Sequence, residues 1–308
     1  MQGLLVVDAT RYVPGAFASA EMLRLGARVI RLEQPSGDPM RATAPEWHDV
    51  LNAGKESVVC DLPADAEFAQ ALLARADVVL ESFRPGVAAR LGIGPDDVPE
   101  RTVYCSITGF GVGNEHEQQA GHDVNYVGYA GLLGVTAPSV PPVQVADLAA
   151  GALGAVTEIL AALLERERTG RGARIVVSMT HGAHRLASRS EVLQGGYACY
   201  RMYATADGRY LTVGALEPKF FARMCELLGR PELAERQYGD DQDELARELA
   251  QVFSTSTLAQ WLDVFANEDV CVGPVATLAE ADAAFGTPSA AAPTLGAQTD
   301  AWRREVGL

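Results

Sequence analysis

No stretch of about 18 uninterrupted apolar residues occurs in the chain; the best candidate, near Ala149 to Leu164, is cut by Glu158. A membrane-spanning segment is therefore not expected. The five cysteines, Cys60, Cys105, Cys199, Cys225 and Cys271, make no CxxC pair, and their odd number does not suggest a closed disulfide set. Basic residues are scarce: 25 Lys and Arg stand against 40 Asp and Glu, a formal charge of −15. Such a field repels phosphate backbones and anionic lipid, which argues against nucleic acid and membrane surfaces as partners. An anionic small ligand would need local Arg or Lys. Met1-Gln2-Gly3 carries no basic leader, and the apolar stretch after it stops at Asp8, so a reduced, cytoplasmic setting is expected.

What is present is a soluble globular balance, 48% hydrophobic and 21% charged over 308 residues. Leu4 to Val7, Ala16 to Leu25 and Ala27 to Leu32 read as strand, helix and strand. A second cycle follows, with Ser57 to Cys60, Asp65 to Arg75 and Val78 to Leu80; Val103 to Ile107 is a further strand. This alternation implies a largely parallel sheet covered on both faces. Glu33 closes the second strand where a ribose-binding acid would lie, but only Val13-Pro14-Gly15 follows the first strand, not GxGxxG. A dinucleotide site is rejected on that ground.

A long helical pattern runs from Asp147 to about Arg168, then a strand from Ala173 to Val177. The composition shifts near Gly195-Gly196. Ala206-Asp207-Gly208 reads as a hairpin turn, and helical patterns fill Lys219 to Leu228, Gln242 to Phe253 and Leu258 to Ala266. We divide the chain into a large domain over 1–185 and a smaller α+β domain over 196–285. The segment from Ala281 to Ala297, rich in Ala, Pro, Ser and Thr, reads as an extended tail, with about 286–308 returning to the large domain.

Three places could carry chemistry. Gly121-His122-Asp123-Val124-Asn125-Tyr126 follows a glycine-rich loop at a strand end, although Asp123 or Asn125 could simply cap a helix. Asp147 opens the long helix, as an N-cap or as a carboxylate kept ionised in a cleft. Glu217 lies between a strand and a helix start at Pro218. His181 and His184 are three apart without a third ligand, so no metal is expected. No G-x-S-x-G elbow is present.

Taken in order, Pro14-Gly15, Leu25-Gly26-Ala27-Arg28-Val29-Ile30, Glu81-Ser82-Phe83-Arg84-Pro85-Gly86, Thr108-Gly109-Phe110-Gly111, Gly121-His122-Asp123-Val124-Asn125-Tyr126, Asp147 and Glu217-Pro218-Lys219-Phe220 resemble the family III CoA-transferase superfamily, specifically its alpha-methylacyl-CoA racemase branch. The resemblance runs from Leu4 to about Thr277. It implies a Rossmann-like large domain, a small domain and an interlocked homodimer in which Glu217 acts in trans. It also implies His122 and Asp147 as catalytic acid/base groups, tuned by Asp123 and Glu217. The substrate would be an acyl-CoA thioester, with no cofactor besides. Plain transferases of the superfamily keep the aspartate, which becomes an acyl anhydride, but lack the histidine. Arg31, Lys55 and Arg84, with Gly109 and Tyr126, would hold CoA. Gln34, Ala53 and Glu56 stand where racemases often carry basic residues, which also admits an acyl group on a carrier protein. The segment between Val177 and Gly195-Gly196 is short for the branch, which leaves a non-catalytic homologue as a third reading.

Overall fold

Short runs of Val, Ile and Leu, each followed by a helical spacing, build an all-parallel sheet in the computed structural model, which describes residues 1–308. Its strands are β1 (Leu5–Asp8), β2 (Arg28–Glu33), β3 (Glu56–Val59), β4 (Val78–Glu81), β5 (Val103–Thr108) and β6 (Arg174–Ser178), in the order 3-2-1-4-5-6. On β1, Val6 faces Val29 of β2 on one side and Val78 of β4 on the other. The strand order reverses between β1 and β4, where open α/β sheets leave a crevice at the carboxyl ends of the strands. One face is covered by helices Tyr12–Arg24 and Val145–Thr169 over Val6, Met22, Val29 and Ile159; the other is packed by Ile30, Phe68, Leu72, Val79 and Trp302.

The chain forms two compact units, Met1–Ala187 with Pro288–Leu308, and Ser188–Thr287. In the second, β7 (Tyr200–Ala204), β8 (Tyr210–Gly214) and β9 (Val272–Pro274) make an antiparallel sheet. Helices Pro218–Leu227, Gln242–Phe253 and Leu258–Phe265 close over Leu211, Phe221, Leu249 and Trp261.

Two expectations need correction. Part of the expected extended tail is helical: Leu278–Phe285 forms because Thr277 Oγ1 accepts the Glu280 N–H at 3.2 Å while Glu280 accepts the Thr277 N–H at 2.8 Å. The long helix begins at Val145, not Asp147, and its first nine residues, Val145–Leu153, are π-helical. It is also long and apolar enough to cross a membrane by length and composition, with a mean hydropathy of 1.7 over its best window. A search for unbroken apolar runs misses it because of Glu158. Here its small residues Ala146, Ala150 and Ala155 are buried in the core of the large unit.

The closing helix, Thr299–Val306, covers the exposed edge of β3. Gln298 Oε1 accepts the Ser57 N–H at 2.8 Å and Thr299 Oγ1 accepts the Val59 N–H at 2.9 Å, which protects an otherwise unpaired edge. Trp302 is 1% exposed, donates Nε1–H to Glu56 at 2.7 Å and lies under the Arg28 guanidinium. Trp302→Ala should therefore cost about 3–5 kcal/mol, read as a lower urea midpoint; a midpoint unchanged from wild type would contradict this docking.

Candidate active site

The carboxyl end of β1 is held by a buried ion network. Asp8, fully buried, accepts from Arg31 at 2.8 Å and from the Thr10 hydroxyl at 2.6 Å, and its second oxygen accepts from Ser19. The other arm of Arg31 bonds Asp38. Lys55 Nζ, 3.9 Å from Asp8, donates to the Ala16 carbonyl and Asn52 Oδ1. Burial alone pushes the Asp8 carboxyl up, but the charges of Arg31 and Lys55 and the two hydroxyls outweigh it and hold it at about 2. Burial pushes Lys55 down to about 7. Arg31 and Lys55, expected to help hold CoA, are thus both engaged inside the large unit. At 1% and 3% exposed they are spent on internal carboxylates and carbonyls.

From this anchored end the chain turns sharply into helix Tyr12–Arg24. Gly15 is required there, since a Cβ would sit 1.9 Å from Thr10 Oγ1. The turn forms one wall of a cleft of about 500 Å³ whose lining includes Arg11, Tyr12, Arg84, Gly109, His122, Tyr126 and Asp147. His122 and Asp147, twenty-five residues apart in sequence, thus share one cavity within the large unit.

His122 is exposed at the N-terminal flank of helix Asp123–Tyr129, where Asn125 Oδ1 accepts its backbone N–H at 3.0 Å. Asn125, not Asp123, thus closes this helix start. Asp123 is 5% exposed and looks the other way: its Oδ1 accepts the backbone N–H of Asp147 at 2.8 Å, tying the two loops together. Asp147 lies in the first turn of the long helix, not at its cap. Burial, with the negative charge of Asp123 second, pushes the Asp147 carboxyl up to about 7. A group so placed exchanges its proton near neutral pH.

Tyr126, 7% exposed, is clamped between Gly109 and Gly121, where a Cβ would come within 2.5 and 2.7 Å of its ring; its hydroxyl donates to the Gly121 carbonyl at 2.6 Å. Its part is to fasten the loop before His122 while lending an edge to the cleft. Arg84 is exposed on the cleft wall. Glu217 lies in the second unit, exposed at the start of helix Pro218–Leu227. Arg11 and Tyr12 also line the cleft, and no motif marks them; the one sequence signal for them is their place directly after β1, at the strand-order reversal. Arg11 also borders a neighbouring cleft of about 430 Å³ along the ends of β1 to β4. Glu33 at that edge is taken up by Arg41, at 2.7 Å, and Ser57, at 2.8 Å. No group of three or more His, Cys, Asp or Glu is gathered to hold a metal ion.

The family model described as CoA-transferase family III matches residues 1–289. The chain is 34% identical to alpha-methylacyl-CoA racemase of Homo sapiens over 91% of this chain and 78% of that one. It is 30% identical to succinyl-CoA:glutarate CoA-transferase of Mus musculus, over 90% of this chain and 72% of the relative. Among solved structures, a CAIB/BAIF family protein from Brucella suis superposes with a TM-score of 0.84 at 25% identity, covering 99% of this chain and 98% of that one.

Proposed function

Since the chain belongs to CoA-transferase family III, we propose that it racemises the alpha carbon of a 2-methylacyl-CoA thioester, with His122 and Asp147 as the two proton-transfer groups. The observation that carries this reading is the joint presence of an exposed imidazole and a carboxyl near pH 7 in one cleft. Racemisation needs one group to remove the alpha proton as a base while another returns a proton to the opposite face as an acid. In one direction the His122 imidazole takes the proton, the C–H electrons pass into the thioester as an enolate, and protonated Asp147 supplies a proton to the other face. The reverse direction exchanges the roles. Burial, which holds the Asp147 carboxyl at about 7, lets that group give or take the proton.

The second reading is CoA transfer, in which ionised Asp147 attacks the thioester carbonyl, a C–O bond forms, the C–S bond breaks and CoA thiolate leaves. Transferases are among the similar proteins. A carboxyl pushed up to about 7 is, however, partly protonated at neutral pH and to that extent a poorer nucleophile. Chiral analysis of one enantiomer of a 2-methylacyl-CoA, incubated with the protein, should show racemisation. A folded protein that racemises none, but transfers CoA to an acid through a hydroxylamine-trappable acyl anhydride at Asp147, overturns the proposal.

The proposal includes a homodimer in which Glu217 of a second copy completes the site. It also commits to CoA over a carrier-bound acyl group. With Arg31 and Lys55 buried, Arg84 and Arg11 are the arginines lining the cleft, so they must meet the anionic handle. Arg84→Ala should raise KM for acyl-CoA by about 10-fold with little change in kcat, because it removes binding made equally in ground and transition states. Unchanged KM, with acyl-carrier protein preferred over acyl-CoA, would shift the substrate to the carrier.

A further inference from the structure

Tyr12 is the sole non-glycine residue of the large unit with left-handed backbone, at φ 62°. For an L-residue with a bulky side chain that conformation is sterically disfavoured, so something must hold it. Its N–H donates to Asp38 Oδ2 at 3.0 Å, and Asp38 is itself fixed by Arg31 and by the Met40 N–H at 2.8 Å. The preceding N–H, of Arg11, is taken by Ser82 Oγ at 3.0 Å. The buried ion network therefore pins one strained residue at the mouth of the cleft. The strain is not repaid by burial, since Tyr12 is 43% exposed.

What the strained backbone achieves is the direction of the ring. The phenol stands edge-on to the His122 imidazole, ring centroids 5.8 Å apart and planes at 86°. Within one copy of the chain no carboxylate hydrogen-bonds this imidazole; Asp123, next in sequence, turns its Oδ1 to the Asp147 N–H. A general base works only if its lone pair is aimed, and a third group usually does the aiming. We infer that Tyr12 is a positioning residue for His122, an aromatic wall that limits the imidazole to orientations facing the cleft. Edge-on contact between aromatic rings is attractive and biases the rotamer of an exposed side chain.

The inference rests on the proton-transfer role of His122, and its test separates the two. Tyr12→Gly removes the ring while accepting positive φ without strain, so its thermal midpoint should equal or exceed that of wild type. Its kcat should fall about 10- to 100-fold with KM nearly constant. Tyr12→Phe, which keeps the ring, should restore kcat. In NMR spectra the His122 ring-proton resonances should move in Tyr12→Gly and stay in place in Tyr12→Phe, because the ring current comes from the aromatic ring. Tyr12→Gly with wild-type kcat, or with unmoved His122 resonances, overturns the inference. If His122→Ala is inactive while Tyr12→Gly is fully active, only the inference fails. If His122→Ala is as active as wild type, the racemase reading fails, and the resonances alone still decide whether Tyr12 positions the ring.

Discussion

Asp147→Asn should abolish racemisation and at the same time make the protein more stable at neutral and alkaline pH. The loss of activity, about 10²–10⁴-fold, follows from removing one of the two proposed proton-transfer groups while leaving the shape of the cleft. The gain in stability follows from the carboxyl itself. In the unfolded chain it ionises at its ordinary value of 3.8, whereas in the folded state burial and the charge of Asp123 hold it at about 7. Between those values the folded state binds the extra proton, so this group lowers stability progressively as pH rises, and the full cost is present above about pH 7. The gap corresponds to at most about 4 kcal/mol, and solvent at the open cleft reduces it to about 1–3 kcal/mol. Urea unfolding of both proteins should therefore coincide near pH 4 and diverge towards pH 8, with the variant higher. A variant less stable than wild type at pH 8 would mean that Asp147 is a structural carboxylate.

Arg31→Met should be the most destabilising single change near the site. It leaves Asp8, fully buried, and Asp38, 5% exposed, without their shared cation. Removing one partner of such a buried arrangement costs about 3–5 kcal/mol, most of it the penalty of the charges left behind. Arg31→Lys should recover little, because a single ammonium cannot reproduce the fork by which the guanidinium reaches Asp8 and Asp38 from separate nitrogens. Equilibrium unfolding at pH 7 tests this; a loss below about 1 kcal/mol would show that the network is not what anchors the end of β1. Activity lost in the same variant connects the network to chemistry through the Tyr12 N–H on Asp38.

Much of this architecture could be read from the residues. The apolar runs at Leu4 to Val7, Ala27 to Leu32 and Val78 to Leu80 are strands because β-branched and aliphatic residues flanked by turns suit a sheet buried on both faces. The block around His122 and the aspartate at 147 carry a sequence signal for chemistry, and the structure brings both to one cleft. The burial of Arg31 and Lys55 is not legible in the sequence, because nothing local distinguishes a surface cation from one that meets acids folded in from other loops; Asp38 lies beyond the end of β2, and Asp8 on a neighbouring strand. Burial of charge is a tertiary fact. Trp302 escaped notice for the same reason, since its partners Arg28 and Glu56 are more than 240 residues away in sequence. Tyr12 could not be read as strained from its neighbours, because the strain is imposed by Asp38 and Ser82.

The central claim is that two different groups serve the two faces of one carbon. Each enantiomer of a 2-methylacyl-CoA, incubated separately in deuterated water with wild type, His122→Ala and Asp147→Asn, tests it most directly by the rate of deuterium entry at the alpha carbon. Wild type should exchange and racemise both enantiomers. Each variant should racemise neither, yet His122→Ala should still exchange one enantiomer with retention and Asp147→Asn the other, because each keeps the group facing one side. Loss of exchange from both enantiomers in Asp147→Asn, with full exchange and racemisation surviving in His122→Ala, would contradict the account.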